Sequence, residues 1–270
     1  MSAPYLLDGK KGLIMGVANE RSIAWIVADA ARRQGAELAF TFQNEAISSR
    51  VKPLAKMAGS NLVFPCDVMN EASIDTVFSC LADRWGRIDF VVHAIAYADR
   101  EELKGPYVET SRSNLTNSLM VSCYSFTSVA RRVSILADGP ASLLTFTFSG
   151  ARRVVPSYNV MGVAKAALEA SVKYLAADLG ATGIRVNAIS SGPMRTLSGA
   201  AIGSGRSIYR WARDNSAFGR DLKKEAVANA SVYLLSDLSC GVTGEIHYVD
   251  NGNNIIGITQ RKGSENNENC

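Results

Sequence analysis

Ser142–Phe148 (SLLTFTF) and Ser149–Lys165 (SGARRVVPSYNVMGVAK) form the stretch on which the reading of this chain turns. The first part is an apolar run of strand length and reads as a buried strand. After a turn containing Gly150 and Pro156, an alanine-rich run reads as a helix reaching about Gly180. Tyr158 and Lys165 lie seven residues apart in it. At ~100° per residue, seven steps fall about 20° short of two turns and rise roughly 10 Å. The two side chains are therefore expected on one helix face, a phenol able to hydrogen-bond a developing anion beside a fixed cation. Alone, such a pair also describes two solvated residues of an ordinary helix, and the rest of the chain has to decide.

The strand-turn-helix rhythm recurs in both directions. Upstream, strands are predicted at Lys11–Ala18, Glu37–Phe42, Leu62–Cys66 and Asp89–Ile95. Helices are predicted between them, over Ser22–Gln34, Ala46–Ala58 (with Pro53 inside) and Ser73–Trp85. A charged loop, Ala96–Thr110, precedes one long helix, Ser113–Leu136. Downstream come a strand at Arg185–Ser190, a Gly-rich stretch Gly192–Ser207 of the kind that forms lids, short helices at Ile208–Asn215 and Lys223–Leu235, and a strand at Glu245–Val249. Such alternation implies right-handed crossovers and a parallel sheet covered on both faces. The fold class is α/β, a single Rossmann-type doubly wound sheet of about seven strands. No linker divides residues 1–258, which are expected to form one dinucleotide-binding domain. Residues 259–270 are polar and expected to be disordered or extended.

Composition narrows the function classes. The chain has 270 residues, 47% hydrophobic and 20% charged, which fits a globular domain with a sizeable core. The net charge of +4 comes with scattered Lys and Arg, so nucleic acid is not indicated, while an acidic partner is tolerated. The five cysteines form no CxxC pair, and reduced thiols in the cytoplasm are the simplest reading. No signal peptide is expected, and no apolar run approaches the ~18 residues of a membrane span. The two histidines, His93 and His247, have no second ligand at metal spacing, so no metal site is expected.

Ligands of this fold class bind at the carboxyl ends of the strands. After the first strand, Gly16 permits a tight turn, and Ser22 and Ile23 open a helix whose N-terminus can host a pyrophosphate, with backbone N–H groups and the Ser22 hydroxyl as donors. After the second strand, Gln43 is a neutral candidate partner for a ribose, and no cation follows in sequence until Arg50, which favours NAD(H) over NADP(H). After the third, Asp67 and Val68 suit an adenine ring, although an Asp there equally caps the following turn. After the fourth, the small apolar Ala94-Ile95-Ala96 allows a flat ring to lie close to backbone. His93 reads more simply as a packed strand-end residue than as a catalyst.

These strand ends combine with four blocks: Gly16-x5-Ser22-x-Ala24, Tyr158-x6-Lys165 within Tyr158-Asn159-Val160-Met161-Gly162, Arg185-Val186-Asn187-Ala188-Ile189-Ser190, and Gly192-Pro193-Met194-Arg195-Thr196. On them, over roughly Gly9 to Val249, the chain resembles the divergent short-chain dehydrogenases/reductases, the bacterial NADH-dependent enoyl-acyl-carrier-protein reductases. Ketoreductases of the same fold carry Tyr-x3-Lys. Here Gly162 stands four residues after Tyr158, and no other Tyr has Lys at that spacing.

The resemblance implies NADH as cofactor and hydride delivery to the β-carbon of a trans-2-enoyl thioester in fatty-acid elongation. Tyr158 would stabilise the oxyanion and Lys165 would bind the nicotinamide ribose. Gly16, Ser22, Ile23, Gln43, Asp67, Val68, Ile95, Met194, Arg195, Thr196 and Leu197 would complete the cofactor site. Ala98 and Phe148 would join Tyr158 at the substrate. The implied partners are an acyl carrier protein, which Arg206 and Arg210 are candidates to meet (solvated surface arginines being the equal alternative), and further copies of the chain in a homotetramer. Membrane and nucleic-acid partners are not implied. Alternatives are a reductase of the same fold acting on another enone or carbonyl, and a cofactor-binding relative that has lost catalysis. Several positions depart from the family pattern. Phe148 stands where many members carry a second Tyr, and a long-chain branch of the family also has Phe there. Ala96 and Ile26 stand where Gly is usual, with Ile26 expected to pack against the sheet. The Ala217-Phe218-Gly219 segment lacks a common Pro.

Overall fold

The computed structural model describes residues 5–194, 196 and 205–258, with backbone alone for 205 and 206. Arg195, Leu197 and the tail 259–270 lie outside the described residues, as does the Arg206 side chain. Strands β1 (Lys11–Met15), β2 (Glu37–Phe42), β3 (Val63–Pro65), β4 (Phe90–His93), β5 (Ala141–Thr147), β6 (Ile184–Ser191) and β7 (Ile246–Val249) form one sheet in the order β3-β2-β1-β4-β5-β6-β7. Every pairing is parallel.

The period-2 alternation of strands sorts the core onto two faces. Leu13 and Met15 of β1 belong to one buried cluster, and Ile14 between them belongs to the other. The first face is covered by α3 (Glu71–Trp85), α5 (Ser125–Leu136) and α6 (Asn159–Leu179), through residues such as Ile74, Phe126 and Leu168. The second is covered by α1 (Ile23–Arg33), α2 (Glu45–Met57) and a C-terminal helix over Lys224–Leu235, through Trp25, Val51 and Val232. The chain runs from β1 out to β3 and returns to β4 on the other side of β1. The strand order reverses there, and the diverging connections leave a crevice at the carboxyl ends of β1 and β4. Gly16 begins that crevice. Its φ is +99°, and a Cβ at this position would overlap the backbone carbonyl of Ala94. Only glycine lets the two strand ends approach this closely.

Several expected boundaries move. The predicted helix Ser113–Leu136 is α4 (Arg112–Leu119) and α5 joined through a π-helical turn, Met120–Tyr124. Inside that turn, Ser122 Oγ accepts from the Tyr97 amide at 3.0 Å and donates to its carbonyl at 3.2 Å. A bond to the loop after β4 thus accompanies the extra residue in the turn, and no local pattern announces it. Pro53 stays inside α2 on its exposed side, where water can satisfy the carbonyl that loses its donor. The Gly-rich stretch 192–207 ends earlier than expected, because α7 (Gly205–Asp214) already includes its last residues. The final helix, α8, is Lys224–Leu235.

Candidate active site

A cleft of about 660 Å³ opens at the carboxyl ends of β1, β4, β5 and β6. It brings together Gly16, Ser22, Ile23, Ile95, Lys165, Met194 and Thr196 of the expected cofactor set with Ala98, Phe148 and Tyr158 of the expected substrate set. Gln43, Asp67 and Val68 follow β2 and β3 on the same edge of the sheet but do not line this cleft. Gln43 is exposed and Val68 is buried. Asp67 Oδ1 accepts from the Met69 amide at 3.0 Å, so one of its oxygens caps the turn, as the simpler reading had it. Near β2, Lys52 on α2 brings its ammonium 5.6 Å from the Phe42 ring centroid. A cation therefore stands closer to that strand end than the linear sequence suggested.

Tyr158 is held with unusual firmness. It is the N-cap of α6 rather than its first helical residue, and both neighbours, Ser157 (φ 61°) and Asn159 (φ 37°), occupy the sparsely populated positive region. Such strain persists only where the surroundings enforce it. One enforcing contact is the Asn159 Nδ2 bond to the Gly105 carbonyl at 2.7 Å, which ties the start of α6 to the loop after β4. The Tyr158 ring packs in a third apolar cluster with Leu103, Val160 and Met161, and meets Phe148 edge-on at 5.2 Å. Burial, followed by the Glu169 charge, pushes its phenol well above the ordinary tyrosine range, so it stays protonated at neutral pH. Among the described residues the hydroxyl has no hydrogen-bond partner. It lines the cleft as a free donor.

Gly150 makes room for this ring. A Cβ there would overlap the Tyr158 ring carbons. Gly150→Ala is expected to displace the phenol and lower turnover about 100-fold, the scale of an ångström-sized misplacement. Steady-state kinetics with NADH affinity measured alongside checks this, since affinity should stay nearly unchanged.

Lys165 is 7% exposed and lines the same cleft. Its Nζ donates to the Phe146 carbonyl at 2.7 Å, leaving two N–H donors. Burial lowers its pKa to about 8, with Cys123 and Glu169 opposing that fall. His93 faces away from chemistry. It is fully buried, with Nε2 2.8 Å from Ser125 Oγ, and burial followed by the Lys165 charge holds it down to about 3.

The first turn of α1 fits a dinucleotide pyrophosphate, but not as expected for Ser22. The Ser22 hydroxyl donates to the Asn19 carbonyl at 2.6 Å and accepts from the amides of Ala18 and Asn19. It shapes the loop rather than offering a donor. It also makes no side-chain cap on α1, and the first turn has no acidic residue. The positive end of the helix is thereby left open beside the cleft. Ile26 corrects a second expectation. It does not join the core against the sheet but lines a smaller cavity of about 350 Å³ with Met194, Tyr209 and Arg213.

Residues not singled out from sequence also shape the site. Met161 shares the face of Tyr158 and Lys165, three residues after one and four before the other, so helical spacing was enough to find it. Leu103 and Tyr209 come from the loop after β4 and from α7, and Tyr209 hydroxyl donates to the Met194 carbonyl at 2.8 Å. Only tertiary structure brings them in.

Comparison with known proteins agrees with this geometry. A family model described as enoyl-(acyl carrier protein) reductase matches residues 16–254. A Rhizobium meliloti protein named enoyl-acyl-carrier-protein reductase (NADH) 2 is 56% identical over 253 residues, 94% of each chain. The crystal structure of the enoyl-acyl-carrier-protein reductase of Anaplasma phagocytophilum in complex with NAD superposes with a TM-score of 0.92 at 50% identity, covering 96% of this chain and 99% of that one. The FabI structure of Candidatus Liberibacter asiaticus gives the same TM-score and identity, covering 94% and 99%.

Proposed function

The chain belongs to the NADH-dependent enoyl-acyl-carrier-protein reductases, and on that premise we propose how its cleft carries out the reaction. The protein reduces the trans-2 double bond of an enoyl thioester borne by acyl carrier protein, in fatty-acid elongation. NADH, when bound, supplies the hydride that adds to the β-carbon.

The observation that carries the residue assignment is the unpartnered, protonated Tyr158 hydroxyl on the wall of the cleft that Lys165 also lines. Addition at the β-carbon moves charge onto the thioester oxygen. The Tyr158 O–H is the donor that receives this charge, already oriented and shielded from water. The Lys165 ammonium binds ribose hydroxyls with its two remaining N–H groups, and the Phe146 carbonyl fixes its direction. The open first turn of α1, with Gly16 and Ile23, would hold the pyrophosphate, and Met194, Arg195, Thr196 and Leu197 are its other candidate partners in the sequence. Gln43, Asp67 and Val68, after β2 and β3, would hold the adenosine half, and Ile95 and the small Ala96, which line the cleft, would leave room for the flat nicotinamide ring. Ala98 and Phe148 line the same cleft as Tyr158 and would contact the acyl chain. Phe148 brings no hydroxyl to the oxygen, so Tyr158 serves it alone.

The acyl carrier protein approaches from the side of α7, where Arg210 is exposed and available to its acids, with Arg206 one turn earlier. The active form is a homotetramer in the cytoplasm. Four free thiols among the described residues support a reducing compartment, and no helix among these residues is long and apolar enough to cross a membrane.

A panel of trans-2-enoyl and 3-oxoacyl thioesters of several chain lengths, assayed for consumption of NADH and NADPH, tests the reading. Enoyl thioesters with NADH should be turned over. Cofactor binding without oxidation on any enoyl thioester would instead indicate lost catalysis.

A further inference from the structure

Glu169 has no part in the mechanism above, yet it lies one helical turn beyond Lys165 on α6 and is 6% exposed. A carboxylate at that depth requires partners for its charge. Thr147 Oγ1 donates to its Oε1 at 2.9 Å, and Arg152 Nε donates to its Oε2 at 2.9 Å. These partners are the two ends of one turn, the turn that leaves β5. Between them lie Phe148, whose ring meets Tyr158, and Gly150, whose missing Cβ gives the Tyr158 ring its space. Arg152 is steadied from a second side, 5.8 Å from the centroid of the Tyr248 ring on β7.

Charge is the second part of the observation. The charged and titratable groups that act on Lys165 are His93 on β4, neutral through burial, Cys123 in the π-helical turn and Glu169, while the protonated phenol of Tyr158, Asp99 and Arg100 line the same cleft. Glu169 is a buried carboxylate one helical turn from Lys165, and its charge, after the influence of Cys123, favours the protonated lysine.

We propose that Glu169 is a positioning residue: its carboxylate clasps both ends of the Thr147–Arg152 turn that walls Tyr158, and its charge supports the Lys165 ammonium from within the same helix. The second half of this inference rests on the assignment of Lys165 to cofactor binding.

Four proteins test it: wild type, Glu169→Gln, Arg152→Ala and Lys165→Met. NADH dissociation constants are measured across pH, and kcat at saturating enoyl thioester, after thermal unfolding has shown which variants fold. Glutamine keeps one acceptor oxygen, so it can accept from Thr147 or from Arg152 but not from both, and it has no charge. Glu169→Gln is expected to lower kcat about 10-fold and to move the midpoint of the alkaline loss of NADH affinity down by roughly 0.5–1 pH unit, less than a direct ion pair gives. Arg152→Ala opens one end of the clasp but keeps the charge. It is expected to lower kcat without moving the midpoint down. A purely structural role moves both variants alike, so a shared shift, or an unmoved midpoint in Glu169→Gln, overturns the charge role. An unchanged kcat in Arg152→Ala overturns the clasp, and does so even if Glu169→Gln fails to fold. Lys165→Met should abolish the pH dependence. If the dependence survives there, it is the assignment of Lys165 that fails.

Discussion

Tyr158→Phe is expected to lower turnover of an enoyl thioester by roughly 10²–10³-fold, the usual effect of deleting one preorganised donor to an oxyanion. The size follows from isolation. Phe148 cannot donate, and the Tyr158 hydroxyl is the donor proposed to meet the substrate oxygen on this wall of the cleft. Because the ring is held by Leu103, Met161 and Phe148 rather than by its hydroxyl, the substitution should leave the cluster packed and the protein folded. NADH affinity should change less than about 2-fold, since the hydroxyl has no partner that holds the cofactor site together. Stopped-flow turnover paired with a fluorescence titration of NADH separates the two effects. A variant with unchanged turnover would remove Tyr158 from the chemistry.

Lys165→Met should act on the other quantity. Methionine keeps most of the buried length but loses the charge and all three donors. Charge-assisted hydrogen bonds contribute about 1.5–3 kcal/mol, so the NADH dissociation constant should rise roughly 10–100-fold. Wild-type affinity should also depend on pH in a defined direction. Burial lowers the lysine to about 8, so the charged form proposed to bind ribose prevails below that value and is lost above it. NADH affinity should therefore hold near neutrality and fall as pH rises past about 8, while Lys165→Met should be weak and flat throughout. An unaltered dissociation constant in Lys165→Met would refute the role.

The fold was legible because its signals are local and repeated. Apolar runs of strand length alternate with helical stretches, and each run maps onto a strand within a few residues. The β1 residues Leu13, Ile14 and Met15 alternate between faces as a two-sided buried strand must. The Tyr158–Lys165 pairing was legible because seven-residue spacing points to one helix face, although Tyr158 itself sits at the N-cap and is placed there by the turn before α6. Resemblance supplied the rest of the set, and Ser22 shows where a motif position and its chemistry part. Its hydroxyl folds the loop that shapes the turn, and the helix end it leaves uncapped is what fits an anion. The π-helical turn was not legible, because Ser122 bonds to Tyr97 across a fold that the local pattern does not describe. Nor was Lys52 near Phe42, since α2 returns along the sheet and reverses the apparent distance. Glu169 carried a usable signal, a carboxylate four residues after Lys165 on the buried face. Its meaning depends on both ends of the β5 turn reaching it, which is a tertiary fact.

In the proposed mechanism Tyr158, seven residues before Lys165 in this cleft, stabilises the oxyanion that forms when hydride adds to a β-carbon rather than to a carbonyl carbon. The most direct measurement uses NADH deuterated at the transferring position with a trans-2-enoyl thioester and, separately, a 3-oxoacyl thioester, followed by mass and NMR analysis of the products. A saturated acyl thioester carrying deuterium at the β-carbon is expected, with no product from the 3-oxoacyl substrate. Deuterium on a carbinol carbon of a 3-hydroxyacyl product, with the enoyl thioester recovered unchanged, would contradict that mechanism.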